Sequence, residues 1–162
     1  MDPFAGPLAG YFKFVECGDT ANPVIGMQQG VTYTFDQSHA TNWFHPLGFA
    51  YFPDGAHDGV DELEPGISQT NGSCVSNNTC QAPMYHKDGV FVGGSYDGAT
   101  IGGEDFGLDN YEPEFFYPRG KWLEASYSVT LTITDTTYAN DIFYFCHIHD
   151  GMSGRTTAPL VK

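Results

Sequence analysis

The sequence predicts an all-β fold, and three observations carry that expectation. Short runs rich in β-branched and aromatic residues alternate apolar with polar, as in Val31-Thr32-Tyr33-Thr34-Phe35 and Tyr127-Ser128-Val129-Thr130-Leu131-Thr132-Ile133, the period of a strand with one buried face. Twenty Gly and ten Pro punctuate those runs at short intervals. No stretch of the roughly 10 to 12 residues that a helix needs carries helical periodicity. Many short strands at regular turn spacing suggest a β-sandwich. At 162 residues the chain is one domain by length, with a core large enough to stand without a metal.

Taken in order, residues 1–10 hold two Pro and two Gly and read as an irregular lead-in, and Met1-Asp2-Pro3-Phe4 looks like a cloning remnant. The domain is expected over 11–162. Residues 11–16 are aromatic and β-branched, a strand candidate, and 18–23 form a turn before a second strand at 24–27. Gln29-Gly30 leads into the strand at 31–35. Residues 42–49, Asn-Trp-Phe-His-Pro-Leu-Gly-Phe, read as a loop containing His45. The stretch 54–64 gathers five carboxylates, a set of oxygen ligands that suits calcium, although the spacing is not that of an EF-hand and such runs are commonly only solvated.

Residues 67–121 form a long loop-rich insertion, with a strand at 89–93 and one short helix near 104–110. The cleanest alternation in the chain is the strand at 127–133. Residues 136–140 turn it into the aromatic strand 142–145, and residues 155–161 make the last strand.

The chemistry concentrates just after that aromatic strand. Cys146, His147, His149 and Met152 place a thiol, two imidazoles and a thioether within seven residues. A Cys thiolate with two His nitrogens in a plane and a distant Met sulfur on the axis is the ligand set of a blue-copper centre. Side chains alternate faces along a strand, so His147 points away from Cys146, while the following turn can fold His149 and Met152 back. One imidazole must then come from elsewhere in the chain.

Four Cys allow three full pairings. Cys74 and Cys80 enclose a five-residue loop and are expected to bridge each other. Cys17 and Cys146 leave a fork: a free Cys17 beside a metal-binding Cys146, or a disulfide that removes the thiolate. Asn71-Gly72-Ser73 and Asn77-Asn78-Thr79 are acceptor sequons at Asn71 and Asn77, which point to a secreted or cell-surface glycoprotein.

Six Lys plus Arg against 20 Asp plus Glu give a net charge of −14, which argues against nucleic acid and favours a basic protein or cations as company. No apolar run approaches the roughly 20 residues of a membrane span. The motif Gly-x-Ser-x-Gly is missing, so no Ser/His/Asp signal points to an enzyme.

The motif Cys146-x-x-His149-x-x-Met152 resembles the ligand loop of the cupredoxins, the type 1 blue copper proteins, and its spacing looks most like the amicyanin type. Cys146-His147-Ile148 is also similar to the copper loop of multicopper oxidases, in which the His after the Cys serves a trinuclear cluster. The resemblance covers residues 11–49 and 123–162 and implies a Greek-key sandwich with copper bound by His45, Cys146, His149 and Met152. His147 is a further candidate ligand. It implies one-electron transfer with a redox partner. The alternatives are a copper-binding or delivery module without turnover, and a metal-free structural or adhesion domain.

Overall fold

The computed structural model describes residues 10–59, 62–63, 83–92, 107–133 and 142–157. Among the described residues, eight strands make two sheets. β1 (Ile25–Gly26), β3 (Leu47–Ala50), β7 (Ile142–Cys146) and β8 (Ser153–Thr157) form the first, in the order β1-β8-β7-β3, with β1 parallel to β8 and the other pairs antiparallel. β2 (Thr32–Asp36), β4 (Met84–Lys87), β5 (Val90–Phe91) and β6 (Tyr127–Thr132) form the second, fully antiparallel in the order β2-β6-β4-β5. The fold is an all-β sandwich, with the short helices α1 (Leu108–Tyr111) and α2 (Arg119–Trp122) attached to it.

The two sheets meet through aromatic rings. Phe35 of β2 and Phe49 of β3 face each other at 5.1 Å between centroids, and Phe14 packs edge-on against both Phe35 and Tyr144. Trp122 of α2 stacks on Tyr127 of β6 at 4.7 Å, beside Tyr111 and Phe115. Aromatic residues bury on the order of 150–250 Å² each, so these rings dominate the hydrophobic stabilisation. β6 keeps the alternation seen in its sequence, with Tyr127, Val129 and Leu131 buried and the Ser and Thr between them half-buried.

Several segments depart from expectation for local reasons. Residues 11–16 form no strand. The Phe12 N–H donates to Asn22 Oδ1 at 2.8 Å and the Phe12 carbonyl accepts from the Asn22 N–H at 2.9 Å, which closes a loop that runs into a 3-10 turn at Val15–Cys17. Phe12 and Phe14 pack on the core all the same.

Where a loop was expected at 42–49, β3 begins at Leu47, and all four of its residues are buried. A strand covered on both faces shows no alternation to read. Gly48 is small because the structure requires it: a Cβ there would stand 2.5 Å from Leu108 Cδ2 and 2.9 Å from the Phe145 ring.

Within 67–121, β5 was anticipated but its partner β4 was not. Asp88 and Gly89, at φ 52° and 75°, make the tight hairpin turn between them. The helix expected near 104–110 is α1, and a 3-10 turn at Glu112–Phe116 and α2 follow it. The last strand among the described residues is shifted toward Cys146, starting at Ser153 rather than 155. Cys74, Cys80, Asn71, Asn77 and the turn at 136–140 lie outside the described residues. No helix among the described residues is long and apolar enough to cross a membrane.

Candidate metal centre

The pairing of β3 with β7 builds the site. Its register sets Leu47 opposite Cys146, the last residue of β7, so the residues just before β3 and just after β7 emerge at the same end of the sheet. His45 and Cys146 are 101 positions apart in sequence, yet the Cys146 sulfur lies 3.6 Å from His45 Nδ1. The turn after β7 returns His149 to the same sulfur, with Nδ1 at 3.5 Å. The two imidazoles lie 4.5 Å apart between centroids, and the three ligand atoms are all within 4.8 Å of one another.

The donor set fits one ion. First-row metals hold imidazole at about 2.0 Å and thiolate at about 2.3 Å, so sulfur-to-nitrogen separations of this size subtend roughly 110° at a shared ion. Two imidazoles and a thiolate form a soft to borderline set that selects copper or zinc over magnesium or calcium.

Cys17 and Cys146 are both free thiols, which leaves the Cys146 sulfur available to the two imidazoles. Burial pushes the Cys146 thiol up to about 12, while the backbone amides of His149 and Ile148 donate toward the sulfur and favour the thiolate. Burial also brings His45 down to about 4, with a smaller push from His149, so its imidazole is neutral and ready to ligate at pH 7. His149 is lowered as well, by burial first and then by His57.

A frame of hydrogen bonds fixes these side chains. Gln37, 3% exposed, donates through Nε2 to the His45 carbonyl at 3.0 Å and accepts through Oε1 from the Leu47 N–H at 3.0 Å, so it brackets His45 on both sides. Phe44, just before His45, takes φ 68°, a left-handed conformation that costs a non-glycine residue about 1 kcal/mol or more. Its ring meets His149 at 5.9 Å and Phe116 at 5.3 Å.

The loop after β7 closes by the Cys146 N–H bonding to the Met152 carbonyl at 3.0 Å. It is tied down where the Gly151 N–H donates to Asp54 Oδ2 at 2.7 Å. The Asp54 N–H in turn donates to Ser153 Oγ at 3.1 Å, and His57 Nε2–H donates to the Cys146 carbonyl at 2.9 Å. No protein-family model, curated protein or solved structure matches the chain.

The sequence-predicted residues separate as follows. His45, Cys146 and His149 converge, and Met152 is buried in the closed loop with its sulfur toward Gly10. His147 points elsewhere and bonds through Nδ1 to Glu112. In the acidic stretch 54–64, Asp54 is engaged by the ligand loop and Glu62 lies beside His147. Gln37 was not anticipated as a site residue, and Asp54 and His57 were not anticipated beside Cys146. Gln37 stands between Asp36 and Ser38 in what reads as an ordinary polar turn, and nothing local distinguishes it.

Proposed function

We propose that this chain is a cupredoxin-type copper protein that carries single electrons. The approach of the Cys146 sulfur to both His45 Nδ1 and His149 Nδ1, at 3.6 and 3.5 Å, is the observation that carries this reading. Met152 would supply a fourth, thioether ligand, since the loop that returns His149 also buries it. Bound copper would accept one electron from one partner and release it to another, alternating between its two oxidation states.

The chain's own residues supply the rigidity that this exchange needs. Gln37 fixes the His45 backbone, Asp54 and Ser153 fix the return of the ligand loop, and His57 fixes the Cys146 carbonyl. Ligands held this way move little between oxidation states, which keeps the barrier to electron transfer low. We carry Greek-key connectivity over from the resemblance of the Cys146 loop to the cupredoxins. Secretion rests on the sequons at Asn71 and Asn77, and a glycan at either site in mass spectra of the protein from its native source tests it. A net charge of −14 suits a basic redox partner, with association that slows as salt rises.

Adding copper(II) to the purified protein tests the centre. Intense visible absorption and a narrow copper hyperfine splitting are expected. Cys146→Ser should abolish both while leaving the far-ultraviolet circular dichroism unchanged. A colourless copper complex of the wild-type protein overturns the electron-transfer reading, and failure to bind copper overturns the metal reading altogether.

A further inference from the structure

The turn that delivers His45 carries an unexpected residue for its shape. The His45 N–H donates to the Asn42 carbonyl at 2.9 Å and closes a four-residue turn. Its central pair is Trp43, at φ −55° and ψ 130°, and Phe44, at φ 68°. That is the pattern of a type II turn, whose third residue needs a positive φ and is ordinarily Gly or Asn. A bulky side chain there is a genuine outlier, strained because its Cβ crowds the following carbonyl. Such strain persists only where the surroundings over-determine it, and it clusters at functional sites.

The ring shows what holds it there. Phe44 is half-buried and stands outside the hydrophobic core, against which its neighbour Trp43 packs. Among the described residues the Phe44 ring meets Trp43 at 5.6 Å between centroids, Phe116 edge-on at 5.3 Å and the His149 imidazole edge-on at 5.9 Å. The turn is itself tied down, since the Trp43 indole N–H donates to the Tyr117 carbonyl at 2.9 Å. Phe44 therefore touches both imidazoles of the site, His45 through a peptide bond and His149 through its ring. Gly or Asn at this position would relax the turn and leave His149 without that contact.

We propose that Phe44 is a positioning residue for His149: the strained turn at 42–45 sets a phenyl ring against that imidazole, fixes its orientation and screens it from water. The proposal rests on the reading of His45, Cys146 and His149 as one metal centre, and half of its test needs no metal.

Diethyl pyrocarbonate, which acylates accessible neutral imidazoles, is applied to the metal-free full chain, and the modified residues are mapped by peptide mass spectrometry. Phe44→Asn keeps a residue suited to the turn and removes the ring. His149 should then react about 2-fold to 10-fold faster than in the wild type, the range that an aromatic edge contact supports. His86, in β4 of the other sheet, should keep its rate. Phe44→Tyr, which keeps a ring, should react as the wild type does. Because released strain offsets the lost ring contacts, the melting temperature of Phe44→Asn should stay within about 4 °C of the wild type. With copper(II) added, the copper hyperfine splitting should change in Phe44→Asn and match the wild type in Phe44→Tyr.

An unchanged His149 rate, equal acceleration in Phe44→Tyr, or equal acceleration of His86 would each overturn the proposal. So would a larger fall in melting temperature, which marks a packing role, or a copper spectrum that Phe44→Asn does not move. If the wild-type protein takes no copper, the metal reading fails by itself, and the acylation rates still decide whether Phe44 holds His149.

Discussion

Gln37→Met is the most informative perturbation of the ligand frame. Methionine keeps nearly the same volume and shape, so the substitution removes hydrogen bonds without opening a large cavity. Three partners lose their bond: the His45 carbonyl, the Leu47 N–H, and the Tyr111 hydroxyl, which donates to Gln37 Oε1 at 3.3 Å. Leu47 and Tyr111 are buried, at 1% and 0% exposure, so water cannot replace what is lost. At about 1 kcal/mol for each bond, the total is about 3 kcal/mol, and it rises if the stranded groups keep their full desolvation cost.

For a chain of this length that loss lowers the melting temperature by roughly 6–12 °C. Urea denaturation gives the free energy and differential scanning calorimetry the temperature. Tyr111→Phe in the same background should cost about 1 kcal/mol less than in the wild type, because both changes remove one shared bond. A loss below about 1 kcal/mol for Gln37→Met would refute the clamp as an energetic feature, as would strict additivity with Tyr111→Phe.

Two further outcomes follow from the packing and the titrations. In Gly154→Ala the new Cβ would stand 2.1 Å from Tyr144 Oη and 2.2 Å from its Cζ. The ring is pinned by its hydroxyl donating to the Pro23 carbonyl at 2.7 Å. A cost of about 1–3 kcal/mol is expected in thermal melts, while Gly26→Ala, with nothing within 4 Å of the added methyl, should cost less than about 1 kcal/mol. In the metal-free protein, His45 has a folded pKa below its unfolded value, so the unfolded chain binds the proton first and His45 costs stability as pH falls from 6.5 toward about 4. His147 acts in the opposite sense. Burial lowers its pKa, but the Glu112 hydrogen bond and the surrounding carboxylates outweigh it and the net shift is upward, so its contribution is present in acid and lost as pH rises. Urea midpoints measured across that acid range should therefore decline less steeply in His45→Asn than in the wild type, and parallel slopes would refute the assignment.

The chain by itself determined the strands that keep one face wet. β6 and β2 were legible because a half-solvated strand must alternate, and β7 because its aromatic run ends at the ligand loop. The pairing of Cys146 with His149 was legible too, since three residues of turn suffice to bring them together.

The tertiary structure alone decided the rest. β3 carries no alternation because both of its faces are covered, and 11–16 looks like a strand although Asn22 captures its backbone. A family resemblance could nominate His45, but only the register of β3 on β7 brings it within reach of a sulfur 101 positions away. Gln37, and the parts that Asp54 and His57 play in holding the loop after β7, left no trace in the linear pattern. Each is defined by what long-range folding sets around it, and burial turns an ordinary polar side chain into a clamp or a ligand.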